Sequence, residues 1–211
     1  MRTKTLLLTA ALGAVSIATA MAQVYSVNAV GYVNVIIPKG SWKILNNPLD
    51  NKADNKIAAL MSTAPDDCVV YVWSSGWKTS TMFLGTWDTE LTLAPGTGFW
   101  FYNPPTATDY TVTFVGDVMQ GSPIIPSLSV PVGFSIQGSQ VPQLGKLVTD
   151  LGFPAPGDDD EVYQWSGGWA VSTFGFGAWD PSEPSIGVAE GFWYNNKNAA
   201  KTWSRTFNVN N

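Results

Sequence analysis

The chain has 211 residues and a formal net charge of −5, with ten tryptophans, one cysteine and no histidine. The absence of histidine excludes the Ser-His-Asp triad, the Cys-His dyad and every histidine-containing zinc site. The acidic balance argues against nucleic acid as a partner, because a phosphate backbone requires clustered cations. The single cysteine, Cys68, excludes an internal disulfide, so the fold must rely on packing.

The first 22 residues have the pattern of a secretory signal peptide. Arg2 and Lys4 provide a positive start, Leu6–Ala20 is an uncharged stretch rich in Leu and Ala, and a small-x-small cleavage motif ends at Ala22. A membrane anchor is the less favoured alternative, because this stretch is too short to span a bilayer comfortably. We therefore expect an exported protein, in the periplasm, at the cell surface or in the medium, that is not an integral membrane protein.

A repeat dominates the rest of the chain. The segment DDCVVYVWSSGWKTSTMFLGTWD at 66–88 recurs as DDDEVYQWSGGWAVSTFGFGAWD at 158–180, and 13 of the 23 positions are identical. Weaker matches on both sides extend the similarity, which indicates a duplicated unit. We expect a first β repeat at 23–118 and a second at 119–211, packed against each other because no long flexible linker separates them.

Short strands account for most of the predicted secondary structure. In chain order, VVYVW at 69–73, GFWFYN at 98–103 and YTVTFVG at 110–116 are rich in β-branched and aromatic residues and are bounded by Gly, Pro, Asn and Asp. Two segments at corresponding places in the repeats, 55–61 and 143–151, have the pattern of short helices. The prediction is an all-β fold of two tandem β-sandwich-like repeats, each with one short helix.

The WSSGW and WSGGW segments are predicted hairpin tips. A three-residue loop would pair Trp73 directly with Trp77 on one face of the sheet, whereas a two-residue loop would put the two rings on opposite faces. The three-residue loop is favoured because a glycine, Gly76 or Gly168, then holds its third position, where we expect a positive φ.

Four longer segments carry a resemblance to known sequences. They are VYSVNAVGYVNVIIPKG at 24–40, LAPGTGFWFYNP at 93–104, GFSIQGSQVPQ at 133–143 and VAEGFWYNN at 188–196. Together they resemble a family of secreted two-repeat β-proteins abundant in verrucomicrobial bacteria. The resemblance implies an exported bacterial protein. It implies no ligand, because the family has no established function and no assigned site residues, and the WSSGW-type hairpins depart from its plainer pattern.

The tryptophans are the main candidates for function. Eight of them occupy four pairs of equivalent repeat positions, and Trp42 and Trp203 match Phe134 and Tyr110 in the other repeat. Shared core packing explains most of this regularity, because aromatic side chains fill thin cores efficiently. The tryptophans expected to be mostly buried are Trp87, Trp100, Trp179 and Trp193.

The hairpin tips are where an indole is most free to stack on the apolar face of a sugar ring, while neighbouring aspartates bond the hydroxyls. The candidate ligand-binding residues are Trp73, Trp77, Trp165, Trp169, Asp88 and Asp180. For the two aspartates a turn is the favoured alternative, since Asp commonly opens turns.

Asp158, Asp159, Asp160 and Glu161 form the densest acidic cluster. The first three are weak candidates for Ca²⁺ ligands, because Ca²⁺ takes hard oxygen ligands. Their spacing lacks the D-x-D-x-D-G pattern, and consecutive strand residues alternate sides, so a solvated loop is favoured. We expect no metal site and no cofactor, and a buried, unreactive thiol at Cys68.

An exported, non-enzymatic binding module is the favoured function, with a polysaccharide or cell-surface glycan as its ligand. A structural or surface-layer protein of the envelope, without a small-ligand site, is the alternative. A glycoside hydrolase is disfavoured, because its carboxylate pair would need residues such as Glu90 or Glu190, and no motif surrounds either. The sequence leaves the oligomeric state open.

Overall fold

The computed structural model describes residues 29–209, which form β-strands with almost no helix. The predicted signal peptide, residues 1–22, lies outside the described residues. The first half contains β1 (Val30–Ile37), β2 (Ser41–Asn46), α1 (Ile57–Leu60), β3 (Val69–Trp73), β4 (Trp77–Phe83), β5 (Thr86–Trp87), β6 (Gly98–Asn103) and β7 (Tyr110–Asp117). The second half contains β8 (Leu128–Val130), β9 (Gly133–Gly138), β10 (Gly145–Lys146), β11 (Glu161–Trp165), β12 (Trp169–Gly175), β13 (Ala178–Asp180), β14 (Ser185–Ile186), β15 (Gly191–Asn196) and β16 (Lys201–Trp203). The all-β prediction is confirmed.

Two five-stranded antiparallel sheets form the framework of the fold. The N-sheet has the strand order β2-β6-β3-β4-β5, and the C-sheet has the order β9-β15-β11-β12-β13. The segments at 66–88 and 158–180 supply β3 to β5 and β11 to β13, so matching sequences occupy matching places in the two sheets. Two-stranded ribbons complete the fold, in which β1 pairs with β7, β8 with β16 and β10 with β14.

One face of the N-sheet is buried. Along β6, Phe99 and Phe101 point into a core formed with the β1–β7 ribbon, where Val112 and Phe114 are fully buried. Because successive strand residues point to opposite faces, Trp100 lies on the other face of the sheet. The N-sheet therefore has a core face and a second face that carries tryptophan.

The C-sheet is built in the same way. Phe192 and Tyr194 of β15 are buried beside Phe153 and Trp203, and the rings of Phe153 and Trp203 lie 4.9 Å apart, centroid to centroid. Trp193, between the two buried residues, points to the opposite face. The second, aromatic faces of the two sheets are the surfaces that position the candidate site.

The prediction of one short helix in each repeat is wrong for the second repeat, at Gln143–Leu151. This segment contains β10, which pairs with β14, and continues as turns. The backbone N–H groups of Val148 and Thr149 donate to the Glu183 carboxylate, at 2.7 and 2.8 Å. A side-chain acceptor that satisfies these amides stabilises a turn in place of a helix. The other predicted helix, at 55–61, is present as the single turn α1.

The two halves differ in register after β6 and β15. Ile37 pairs with Tyr110, whereas Val130, at the matching position, pairs with Lys201. The loop between β15 and β16 is shorter than the loop between β6 and β7, so Lys201 occupies the place of Tyr110. The predicted match between Tyr110 and Trp203 is therefore wrong.

Candidate functional site

The two predicted hairpin tips join β3 to β4 and β11 to β12. Trp73 pairs directly with Trp77, and Trp165 pairs with Trp169, so each loop has three residues, as predicted. The paired indole rings lie edge to face, with centroids 5.2 Å apart in the first tip and 5.1 Å apart in the second. Each tip therefore presents two tryptophan rings on one face of its sheet.

The backbone of each tip reverses at the middle of its loop. Ser75 has a φ of 56° and Gly167 has a φ of 84°, both in the left-handed region. The positive φ predicted at the third loop position is present in Gly76, at 152°, but not in Gly168. The reversal therefore falls on the second loop residue, which is glycine in the C-terminal tip alone.

The N-sheet tip packs on the aromatic face of the C-sheet. The rings of Trp73 and Trp77 lie 5.8 and 5.7 Å from the ring of Trp193, centroid to centroid. The Nε1–H group of Trp73 also donates a hydrogen bond to the carbonyl oxygen of Phe134, at 3.0 Å. These contacts bind the first hairpin to the second half of the chain.

The C-sheet tip makes the equivalent contacts on the N-sheet. The rings of Trp165 and Trp169 both lie 5.7 Å from the ring of Trp100. The Nε1–H group of Trp165 donates to the carbonyl oxygen of Trp42, at 3.2 Å. Contacts that recur with the partners exchanged are the mark of a two-fold axis. The two halves are therefore related by a pseudo-two-fold axis through this interface.

Two glycines at matching positions allow the sheets to approach. A Cβ atom on Gly98 would lie 2.4 Å from Ile136 Cγ2. A Cβ atom on Gly191 would lie 2.8 Å from Ile44 Cγ2 and 2.5 Å from the carbonyl oxygen of Leu45. The GFW motif that both halves share therefore has its glycine at the contact between the sheets and its tryptophan on the aromatic surface.

Two cavities flank the tips on this aromatic surface. The first has a volume of about 540 Å³ and is lined by Trp42, Tyr71, Trp77, Trp100, Trp165 and Trp169. The second also has a volume of about 540 Å³ and is lined by Trp73, Phe134, Tyr163, Trp169, Val171 and Trp193. In each cavity one sheet provides most of the wall, and the tip of the other sheet closes one side. The pseudo-two-fold axis exchanges the two cavities.

Most neighbouring rings of the first cavity stand at steep angles to one another, although Trp42 and Tyr71 meet at 37°. The interplanar angle is 80° between Trp42 and Trp100, 87° between Trp100 and Trp169, and 84° between Tyr71 and Trp77. Within the described chain, no charged side chain lines this cavity. The cavity is therefore a box of aromatic rings whose side-chain polar groups are indole N–H groups and one phenol hydroxyl.

The four predicted tryptophans come together, but only two of them are free at the surface. Trp77 is 49% exposed and Trp169 is 51% exposed. Trp73 and Trp165 are half-buried, because their rings and N–H groups form the contacts between the sheets. Of the tryptophans expected in the core, Trp87 is buried, and the half-buried ones are Trp100, Trp179 and Trp193.

Neither of the two predicted aspartates lines an aromatic cavity. Asp88 Oδ1 accepts hydrogen bonds from the backbone N–H of Thr81, at 3.0 Å, and from Ser80 Oγ, at 3.3 Å. Ser80 is buried on the core face of the N-sheet, opposite the face that carries Trp77. Asp180 is exposed at the end of the edge strand β13. Asp88 therefore connects β4 to the residues after β5 and does not border either cavity.

Asp160 of the acidic cluster is buried, so the predicted solvated loop is wrong there. Its carboxylate accepts hydrogen bonds from the Tyr194 hydroxyl at 2.7 Å, from the amides of Gly157 and Lys197 at 2.8 Å, and from the Lys201 ammonium. Burial opposes ionisation, but these donors outweigh it and lower the pKa of Asp160 to about 2. A carboxylate occupied by donors and an ammonium is not free to bind Ca²⁺.

The matching position of the first half carries a thiol in place of this carboxylate. Cys68 is fully buried, and burial together with the nearby Asp67 raises the pKa of the thiol to about 12. The burial predicted for this thiol is confirmed. The backbone donors are absent as well, because Pro65 and Pro104 stand at the positions of the two donor amides and lack N–H groups. The half with hydrogen-bond donors around this position therefore carries the carboxylate of Asp160, and the half without those backbone donors carries the thiol of Cys68.

The other acidic candidates lie apart from one another. Asp158 and Asp159 are exposed, and no group of three or more potential ligands among residues 29–209 could hold a metal ion. Glu90 lines a cavity of about 680 Å³. Glu190 lines a different cavity, of about 690 Å³, and accepts a hydrogen bond from the Gly187 N–H at 2.7 Å. The two carboxylates considered for glycoside hydrolysis therefore line separate cavities.

Three members of the first cavity, Trp42, Tyr71 and Trp100, are not among the residues predicted from the sequence to bind a ligand. The sequence feature that could have found them is the alternation of side chains along a strand, which puts residues two apart on the same face. Tyr71 and Trp73 are two residues apart on β3, and Trp100 and Tyr102 are two residues apart on β6. On β6 the intervening residues are apolar as well, which hides the alternation in the sequence.

No family model, curated protein or solved structure matches the chain. Among residues 29–209, no helix is long and apolar enough to cross a membrane. The case for a function therefore rests on the aromatic surface and its two cavities.

Proposed function

We propose that the protein is an exported, non-enzymatic binding module that binds carbohydrate through its aromatic surface. The observation that carries this proposal is the half-exposed pair Trp77 and Trp169, whose rings border the cavities. An exposed indole covers the apolar face of a pyranose ring, and the surrounding rings extend that contact. A volume of about 540 Å³ lies in the usual range for small-molecule sites.

The lining of the cavities favours an uncharged sugar. Five tryptophans and Tyr71 line the first cavity, so its side-chain polar groups suit sugar hydroxyls. A carboxylate-bearing sugar would need a cation in the wall, and none lines the cavity in the described chain. The net charge of −5 also disfavours anionic glycans. The ligand we propose is therefore a neutral polysaccharide or cell-surface glycan.

The two cavities adjoin each other, because Trp169 lines both. Two sugar chains, or two branches of one glycan, would therefore bind close together. Occupation of both cavities by one ligand makes the second binding step intramolecular and raises the overall affinity without any new contact.

The positions of the carboxylates support a non-enzymatic function. A glycosidase needs two carboxyl groups that flank one bond, roughly 5–10 Å apart. Neither aromatic cavity has a carboxylate in its described lining. Glu190 lines a cavity that shares Trp42 and Trp165 with the first aromatic cavity, and Glu90 lines a different one, which shares Trp73 with the second. Binding without hydrolysis is the activity that fits these positions.

Pull-down on insoluble neutral polysaccharides, together with a glycan array, tests the proposal. The double variant Trp77→Ala with Trp169→Ala should lose binding by at least about tenfold, because it removes both exposed stacking faces. Phe176→Ala is the matched control, since it removes an exposed aromatic ring from a different loop and should bind like the parent. Parent-like binding by the double variant, or no binding by the intact protein to bacterial and plant polysaccharides, would refute the proposal.

A structural role in the envelope is the second candidate function. The outer face of the β1–β7 ribbon exposes Val30, Tyr32, Ile36 and Val115, and Tyr32 lies directly opposite Val115. Asn34 and Thr113 separate Ile36 from the other three residues on this face, so the apolar patch is formed by Val30, Tyr32 and Val115. An exposed apolar patch can hold copies of a protein together. Self-association in light scattering that is lost in Tyr32→Thr with Ile36→Thr would favour this candidate. A monomer at every concentration would exclude it.

A further inference from the structure

We propose that the first aromatic cavity is a cage for an alkylated ammonium group, such as the trimethylammonium group of choline. The cage is formed by the inner ring faces of the cavity. A cation in this cavity and a sugar stacked on Trp77 and Trp169 would use the same rings, so the two ligands would compete there, but each is tested with its own probe.

The rings form a box, in which a rounded cation can contact several ring faces at once. Three pairs of neighbouring rings meet at steep angles, 80° for Trp42 and Trp100, 87° for Trp100 and Trp169, and 84° for Tyr71 and Trp77. Trp42 and Tyr71 meet at 37°. A flat sugar ring is covered by one aromatic face at a time, whereas a rounded group meets several faces at once. Each ring face is the negative part of the quadrupole, so every face that points inward attracts positive charge.

The charges around the cavity favour the same occupant. Lys43 and Lys78 follow Trp42 and Trp77 in the sequence, but strand alternation puts both lysines on the opposite face of the N-sheet. The described lining therefore contains no cation that would compete for the rings. The net charge of −5 also raises the local concentration of cations and lowers that of anions.

Alkylation of the ammonium group decides selectivity. A bare ammonium is strongly hydrated, and it would lose that hydration in a cavity whose described lining has no carboxylate. Methyl groups on the nitrogen weaken hydration and add apolar surface that the rings can cover. The cage should therefore prefer quaternary ammonium compounds to ammonium.

The second cavity provides an internal comparison. Phe134 stands there at the position of Trp42, and Val171 adds an aliphatic wall. Tryptophan is the strongest cation–π partner among the aromatic side chains, and phenylalanine is weaker. We therefore expect the second cavity to bind the same cation several-fold more weakly than the first.

Choline and its uncharged isostere 3,3-dimethylbutan-1-ol test the proposal, because they share a shape and differ in charge. In titrations of the full chain followed by tryptophan fluorescence and calorimetry, choline should bind at least about tenfold more tightly. Trp42→Leu should weaken choline binding by about tenfold, whereas Phe134→Leu, the matched change in the second cavity, should leave the stronger site unchanged. Equal affinity for the two compounds, no saturation by choline, or parent-like choline binding by Trp42→Leu would overturn the proposal.

The key variant should keep the fold. Trp42 is 38% exposed, and it contacts Trp165 through its backbone carbonyl, which Trp42→Leu retains. Urea unfolding midpoints of the parent and of Trp42→Leu verify that the fold is kept. Tyr71→Leu removes another ring of the cage and must also weaken choline binding. Its failure to do so would count against the cage.

Two sources share the trimethylammonium group, a soluble compound and a lipid headgroup. Flotation with phosphatidylcholine vesicles, compared with phosphatidylglycerol vesicles, separates them. Binding to phosphatidylcholine vesicles but not to phosphatidylglycerol vesicles would identify the lipid headgroup as the ligand. Binding to free choline without binding to vesicles would identify a soluble ligand. Neither readout involves polysaccharide, so failure of the cage and failure of carbohydrate binding are distinguishable.

Discussion

Lys201 should contribute strongly to the stability of the C-terminal half, and Lys201→Met tests this expectation. The substitution keeps the length and apolar part of the side chain but removes the ammonium that contacts the buried Asp160. Asp160 then keeps only neutral donors, the Tyr194 hydroxyl and backbone amides among them. The variant therefore contains a buried carboxylate that has lost its ion-pair partner.

The expected magnitude follows from the pKa of Asp160. Burial opposes ionisation, while the donors, with Lys201 first among them, lower this pKa from 3.8 to about 2. Ionisation of Asp160 therefore contributes on the order of 2 kcal/mol to the free energy of unfolding at neutral pH. Removal of one partner of a buried ion pair typically costs about 3–5 kcal/mol. We expect Lys201→Met to lower the free energy of unfolding at pH 7 by about 2–4 kcal/mol.

The loss of unfolding free energy in Lys201→Met should depend on pH. A carboxyl whose pKa is lowered in the folded state stabilises the fold above its unfolded value, near 3.8, and that contribution disappears as the pH falls towards 2. In the variant the pKa of Asp160 rises, so acid protonates the carboxyl earlier and removes the buried charge. The difference between parent and variant should therefore be largest at neutral pH and shrink as the pH falls from about 4 to about 2.

Urea unfolding at pH 7 and pH 3, followed by tryptophan fluorescence, measures both quantities. Lys197→Met is the matched control, because the Lys197 ammonium lies at the surface, 3.5 Å from Glu161. A surface pair of this kind contributes about 1 kcal/mol or less. A loss below about 1 kcal/mol for Lys201→Met at pH 7, or an equal loss at both pH values, would refute the reasoning.

Three further predictions concern the interface, the thiol and an outer loop. Gly191→Ala should destabilise the protein by about 1–3 kcal/mol in urea unfolding, because the new Cβ would lie 2.5 Å from the carbonyl oxygen of Leu45; a parent-like midpoint would contradict this. Cys68, whose pKa burial raises to about 12, should resist a thiol reagent at pH 8 in the folded protein and react in urea, and rapid labelling without urea would count against its burial. Phe176→Asn should leave the free energy of unfolding unchanged or raise it by up to about 1 kcal/mol in urea unfolding. The reason is that Phe176 is fully exposed and has a φ of 52°, which Asn tolerates better. A clear loss of stability would mean that the ring is needed for folding.

Local spacing is enough to predict the strands, the two hairpin tips and the pairing of Trp73 with Trp77. It does not predict that each tip crosses to the opposite sheet. The hydrogen bond from Trp165 to the Trp42 carbonyl joins residues 123 positions apart, and two similar repeats are equally compatible with tips that pack on their own sheets. The cavities depend on that crossing, so their lining could not be read from the sequence.

The errors also have physical causes. The helix predicted at 143–151 is replaced by turns because the Glu183 carboxylate, far along the chain, accepts hydrogen bonds from its amides. The match between Tyr110 and Trp203 follows sequence similarity, whereas the register is set by the pairing of Val130 with Lys201. In both places a long-range contact outweighs the local pattern.

For the proposed carbohydrate ligand, the pseudo-two-fold axis between the halves would restrict the direction of the bound chains. A polysaccharide runs from a non-reducing to a reducing end, and a two-fold axis across its path reverses that direction. The two cavities would therefore hold chains of opposite polarity, and one straight chain could satisfy only one of them. The carbohydrate ligand that would match the whole surface is a pair of antiparallel chains or two converging branches. Two repeats related by translation would instead bind a single chain at two places, with the same chain direction in both.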